Sequence, residues 1–182
     1  MLFRSHFSSH VLLWRTLVAF GRDGEALRAL IRDRFTRDGR FAYAIGVTGA
    51  RHYHDANDVP TALAAAWGFC AATDATWRAT IDFAWSERNE AYFPGPLGGL
   101  GSLHTKHPWP LGDLQRVIVA RSRGDADAEN AAWARLDRVE MWDGLLPEAY
   151  DERDGTVASR HWFAWPNALR AWLQADPTIG MA

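Results

Sequence analysis

Apolar positions recur at helical spacing along almost the whole chain. Val11, Trp14, Leu17 and Val18 share one face of a first helix that Ser8 or Ser9 can cap, and a Gly21–Gly24 turn ends it. Leu27, Leu30, Ile31 and Phe35 mark a second helix, closed by Asp38-Gly39. Phe41, Tyr43 and Ile45 then alternate with small or basic residues, which predicts a short extended stretch feeding a loop rather than a full strand. Pro60, with Asp58 as cap, starts a third helix carrying Leu63, Trp67 and Cys70. Thr73 or Asp74 caps a fourth, with Trp77, Ile81, Ala84 and Trp85 on one side. Pro110 opens a fifth (Leu111, Leu114, Val117, Ile118), and Asp125 caps a sixth (Trp133, Leu136, Val139). Leu169, Trp172 and Leu173 lie on a last helix before Gly180.

The pattern therefore predicts an all-α chain of about seven helices forming one domain over residues 1–182. Short turns alternate with long connections, chiefly Ser86 to Pro108 and Trp142 to His161. In an antiparallel array every second connection lies at the same end, so the long loops are expected to gather on one face. Loops of that length inside a compact domain are usually functional. No fixed-period repeat is visible, which argues for a ring or arc of helical hairpins rather than a regular solenoid.

Composition narrows the function classes. The formal charge is −2 with both signs mixed throughout, so neither a nucleic-acid surface nor an acidic partner is implied. The single cysteine, Cys70, excludes a disulfide framework and reads as a small buried residue. The opening segment is too short and too polar to span a membrane and lacks a cleavage site, so a cytoplasmic location is the expectation. His52, His54 and Asp55, or His104 and His107, match no named zinc spacing, and no metal or other cofactor is expected. Gly98-Gly99-Leu100-Gly101 does not follow a buried strand, so a dinucleotide site is not expected either. Ten tryptophans, several beside glycine or proline, either fill a core between helices or present flat faces to sugar rings.

Three loop segments concentrate the polar groups. They are Tyr53 to Pro60, Gly98 to Pro110, and Leu145 to Tyr150 with Ser159 to Trp165. Taken alone, Asp55 and Asn57 can cap the helix that follows or bond a ligand's hydroxyls. Glycines around His104 let backbone approach a ligand closely. Arg160 can pair with a carboxylate or with substrate. Glu148 follows Pro147 in a loop expected to be rigid, with Tyr150 and Trp162 to screen it from water.

Together these segments resemble glycoside hydrolase family 125, the metal-independent exo-α-mannosidases. The elements are Asp55-Ala56-Asn57 with Val59-Pro60, then Gly99 to His104 with Trp109-Pro110, then Glu148 followed by Trp162-Phe163-Ala164-Trp165. They occur in the family's order across about residues 8 to 175. His54 stands where the family has an aspartate, and Asp58 is an added residue. The resemblance implies an incomplete (α/α)6 toroid, the C-terminal part of a barrel catalytic domain. It implies exo-acting, inverting hydrolysis of terminal mannosides with Glu148 as general base. Asp55, Asn57, His104, Trp109, Arg160 and Trp162 would bind substrate. The family's general acid lies in a segment upstream of these motifs. The chain is thus expected to be a fragment or truncated product whose uncovered helix faces favour self-association. Leu146-Pro147-Glu148 also fits a glucoamylase-like α/α-barrel hydrolase, and a non-catalytic sugar-binding chain or a helical interaction module are further readings.

Overall fold

A computed structural model describes residues 4–179. The end-point expected at Gly180 therefore lies outside the described residues.

Helix α1 (Phe7–Ala19) buries Phe7, Val11 and Trp14, one face at the spacing the sequence predicts. Its N-cap is His6 and no side chain caps it, so Ser8 and Ser9 lie inside the first turn. Helix α2 (Glu25–Phe35) buries Ile31 and Phe35. It does not stop at Asp38-Gly39. It runs into a hairpin, β2 (Thr36–Arg37) with β3 (Arg40–Phe41), whose two central residues are Asp38 (φ 50°) and Gly39 (φ 73°). Both φ values are positive, as a tight hairpin turn following the strand twist requires, and Asp-Gly is suited to it.

The extended stretch after Phe41 is more ordered than its sequence predicts. Strands β1 (Arg4–His6), β4 (Ala44–Gly46) and β5 (Gly49–Arg51) form a three-stranded antiparallel sheet in the order β1-β4-β5. β1 supplies the partner that alternation within 41–45 could not reveal.

The third helix is much shorter than expected. α3 (Val59–Ala62) is a single turn, and residues 63–68 continue as tight turns ending at Gly68 (φ 79°). α4 (Ala75–Ala84) follows, with Asp74 accepting the Trp77 N–H across 3.0 Å at its N-cap. Trp77 is wholly buried and its indole N–H donates to the Thr61 carbonyl. Phe7 stacks on Phe41 at 4.4 Å between ring centres, and both meet Phe69 edge-on. Each such ring contributes roughly 1.5–3 kcal/mol by leaving water, which locks α1 to the loop before α4.

α5 (Pro110–Arg123) is the axis of the fold. Twelve of its residues are buried, including the polar Asp113 and Gln115. It packs on α3, on α6 (Ala126–Leu136) and on α7 (Ala164–Ala175). Gly124 closes it in the left-handed conformation, and Asp125 caps α6 through the Ala128 N–H. The described residues hold seven helices, the number the sequence predicts.

The two long connections carry small hairpins: β6 (Tyr92–Phe93) with β7 (Gly99–Leu100), and β8 (Ala149–Tyr150) with β9 (Val157–Ser159). Both are tied to the N-terminal end of α5. Trp109 N–H donates to Leu100 O, and Tyr150 N–H to Pro108 O. The loop before α3 joins them, because Ala56 N–H donates to Gly101 O at 2.9 Å.

Candidate active site

The three loops meet around Glu148. Its backbone N–H is shared between the Ser159 and Arg160 carbonyls, so β9 sets where the side chain starts. The carboxylate is only 3% exposed, and Oε2 accepts the Ser159 hydroxyl at 2.8 Å. Oε1 faces Arg160 Nη1 at 3.5 Å and His104 Nε2 at 3.8 Å. Arg160 holds a positive φ of 43°, a conformation a non-glycine residue adopts at a cost and typically where the site demands it.

His104 comes from the glycine-rich loop. Its Nδ1 shares a 2.7 Å hydrogen bond with Ser102 Oγ, and its ring meets the edge of Trp109 at 5.2 Å. The Tyr53 phenol lies beside Ser102 and Leu103 and donates to Asp55 Oδ2 at 3.1 Å. Burial, then the neighbouring Asp55 charge, raises Tyr53 well above the ordinary tyrosine range, so it stays a hydroxyl donor. Asp55, Tyr53, Ser102, His104 and Glu148 thus belong to one polar cluster.

The first loop is shaped from inside. Gln115 on α5 donates its amide N–H to the Ala56 carbonyl (2.8 Å) and the Asp55 carbonyl (3.2 Å). Its Oε1 lies 2.9 Å from His54 Nε2, so that nitrogen carries the hydrogen. Asn89 grips the other side of His54, donating to its carbonyl and accepting its N–H. His54 is 1% exposed. Asp58, expected to cap α3, makes no side-chain cap bond there; its Oδ2 accepts the Asp55 N–H. Its burial pushes the carboxyl up to about 6, with the Asp55 charge adding and His54 opposing.

The seven residues singled out from sequence take different places. Glu148, His104 and Arg160 converge directly. Asp55 joins through Tyr53, and its Oδ1 accepts the Asn57 N–H, so it makes a turn rather than a helix cap. Asn57 Oδ1 is buried with no hydrogen-bond partner among the described residues. Trp109 is 1% exposed, wedged edge-on between His104 and Phe163, so it backs the site instead of offering a face to a ring. Trp162 is 58% exposed and makes no ring contact with the cluster, and Tyr150 turns its hydroxyl to Asp113, so neither is the screen expected over Glu148. Ser159, Ser102, Tyr53, Gln115 and Asn89 were not anticipated. Ser159, Ser102 and Tyr53 stand inside the three polar segments, where a hydroxyl beside the key residue was the available signal. Gln115 and Asn89 gave none.

Among the described residues no group of three His, Cys, Asp or Glu side chains is placed to hold a metal, and no helix is long and apolar enough to cross a membrane.

No curated protein matches the chain. Among solved structures, it is similar to a Streptococcus pneumoniae protein of a family of metal-independent α-mannosidases, solved in a non-productive complex with α-1,6-mannobiose. The likeness has a TM-score of 0.69 at 23% identity and covers 92% of this chain but 44% of the other, so this chain spans less than half that protein's length. Its fold is accordingly that of a partial (α/α)6 toroid. The family model for metal-independent α-mannosidases matches residues 26–173, most of the sequence, and the chain therefore belongs to glycoside hydrolase family 125.

Proposed function

We propose that this chain carries the base half of an inverting exo-α-mannosidase. The observation that supports this most directly is the Glu148 carboxylate: buried, with Oε2 held by Ser159 and Oε1 turned toward Arg160 and His104 where the three loops meet. In an inverting hydrolase one carboxylate removes a proton from water as that water attacks the anomeric carbon. A second carboxyl, roughly 6.5–9.5 Å away, protonates the departing glycosidic oxygen. Glu148 takes the first role. Ser159 fixes its direction. The unpartnered Asn57 Oδ1 is an acceptor for a sugar hydroxyl, with His104 and Arg160 as donors.

The general acid is not assigned to a described residue. Asp55, the other carboxylate of the cluster, already accepts from Tyr53 and Asn57 on its two oxygens. That observation favours a second reading, sugar binding without turnover by this chain alone. A paired assay separates the two. Aryl α-mannoside hydrolysis, with aryl α-glucoside as the glucoamylase-like control, is measured beside mannose binding by calorimetry. Glu148→Gln is expected to lower kcat by roughly 10²–10⁴ while leaving sugar binding intact. Near-normal activity in that variant would remove Glu148 from the mechanism, and binding without hydrolysis in the wild type selects the second reading.

Self-association belongs to the same proposal. Leu12, Leu13 and Phe20 on or just after α1, and Leu30 on α2, are all exposed. Apolar surface of this kind promotes association. Light scattering tests it, and a monomer at all concentrations counts against it.

A further inference from the structure

One aromatic pair lies outside the Glu148 cluster. Trp142 and His161 stack face to face, 3.6 Å between ring centres at 12°, and Trp142 remains 45% exposed. The indole is held in place. Its N–H donates to Glu140 Oε1 at 3.2 Å, and Glu140 Oε2 accepts the Val157 N–H at 2.8 Å. The backbone is equally fixed. Trp142 bridges Leu145 around Asp143 (φ 52°) and Gly144 (φ 74°), a tight turn with both central residues left-handed. An exposed aromatic ring left in water is costly, and here two side-chain contacts and a tight Asp-Gly turn keep it there.

The stack is continuous with the candidate site. Glu148 N–H bonds the Arg160 carbonyl, and Phe163 N–H bonds the Leu146 carbonyl. His161 sits between those two rungs, immediately after the residue that faces Glu148. The Arg160 guanidinium also lies 5.8 Å from the Phe163 ring centre. The segment that carries Arg160 to Glu148 therefore carries His161 to Trp142.

We propose that the Trp142–His161 stack is an outer subsite for the sugar residues that follow the reacting one in an α-mannoside chain. This rests on the exo-α-mannosidase reading. In an exo-acting enzyme only the terminal residue enters the cup at Glu148, so the rest of the chain leaves on one side. A flat, pre-ordered aromatic surface binds the C–H face of a pyranose, and its pre-ordering removes the entropy of fixing a mobile side chain. The stack adds affinity for longer chains without touching the reacting bond.

The test is calorimetric titration of the full chain with mannose, α-1,6-mannobiose and α-1,6-mannotriose, in wild type, Trp142→Ala and His161→Ala. The expected result is tighter binding of mannotriose than of mannose, by roughly five- to tenfold, with the gain lost in Trp142→Ala and mannose affinity unchanged. Both sites are exposed, and a thermal melt checks the fold; should Trp142→Ala melt early, His161→Ala makes the same comparison. Mannose binding with no gain on lengthening, or a gain that survives both substitutions, overturns the subsite. Absence of binding for all three sugars overturns the mannoside reading itself, and the subsite with it.

Discussion

Ser159 donates its hydroxyl to Glu148 Oε2 at 2.8 Å while its backbone carbonyl accepts the Glu148 N–H. One residue of β9 thus fixes both ends of the glutamate. Ser159→Ala leaves a buried carboxylate oxygen without its donor. The expected cost is about 1–3 kcal/mol of stability, read from urea unfolding, and Ser159→Thr, which keeps the hydroxyl, restores most of it.

Behind the Glu148 loop, the Tyr150 hydroxyl donates to Asp113 Oδ2 at 2.5 Å, and Arg135 Nε donates to Asp113 Oδ1 at 3.0 Å. Asp113 is 1% exposed. Replacing Asp113 with Leu strands the Arg135 guanidinium and the Tyr150 hydroxyl. A loss of about 3–5 kcal/mol is expected, against about 1–3 kcal/mol for Tyr150→Phe. Equal losses in chemical denaturation would show that the ion pair adds nothing beyond the hydroxyl.

Asp58 gives a pH signature. Its folded pKa of about 6 lies above the ordinary aspartate value, so the native state holds a proton that the unfolded chain releases. The associated stability is complete at low pH, declines as pH rises from about 4 to about 6, and is gone above that. The expected amplitude is about 3 kcal/mol. Asp58→Asn should flatten this window and be more stable than wild type at pH 7.5. Parallel pH profiles for the two proteins would refute the assignment.

Gly101 sits where the glycine-rich loop doubles back on itself. A Cβ there would overlap the His107 carbonyl oxygen, and backbone cannot yield as a flexible side chain does. Gly101→Ala is expected to displace the Ser102–His104 segment, lowering the melting temperature and weakening sugar binding. Gly39→Ala is the useful contrast: no atom lies within 4 Å of its Cβ, and the only penalty is its φ of 73°.

Much of this was written in the helices. Asp74 and Asp125 cap where their sequence places them, Gly124 ends α5, and the buried faces of α1 and α4 follow their apolar spacing. These signals are local. The sheet was not legible because β4 finds β1 and β5 rather than a neighbour within its own pattern. The third helix failed after one turn although Leu63, Trp67 and Cys70 keep a helical spacing. Leu63, Ala64 and Ala65 are all buried, so packing from several sides replaced a single face. Glu148 stood out through the family resemblance, and His104 and Arg160 through their polar loops; the structure brings the three together. The exposed Trp162 and the buried Trp109 were not told apart, since sequence gives no depth to an aromatic beside a turn.

The Gln115 amide has a wider meaning. Its nitrogen end meets two carbonyl oxygens and its oxygen end meets an imidazole N–H, so neither end can be exchanged for the other. The curve of the 54–56 segment is therefore dictated by the helix beneath it. His54 spends its ring on that anchor, and within the loop the Asn57 Oδ1 is the buried oxygen without a partner among the described residues. Substitutions at the rim leave that course in place, because the wall beneath sets it.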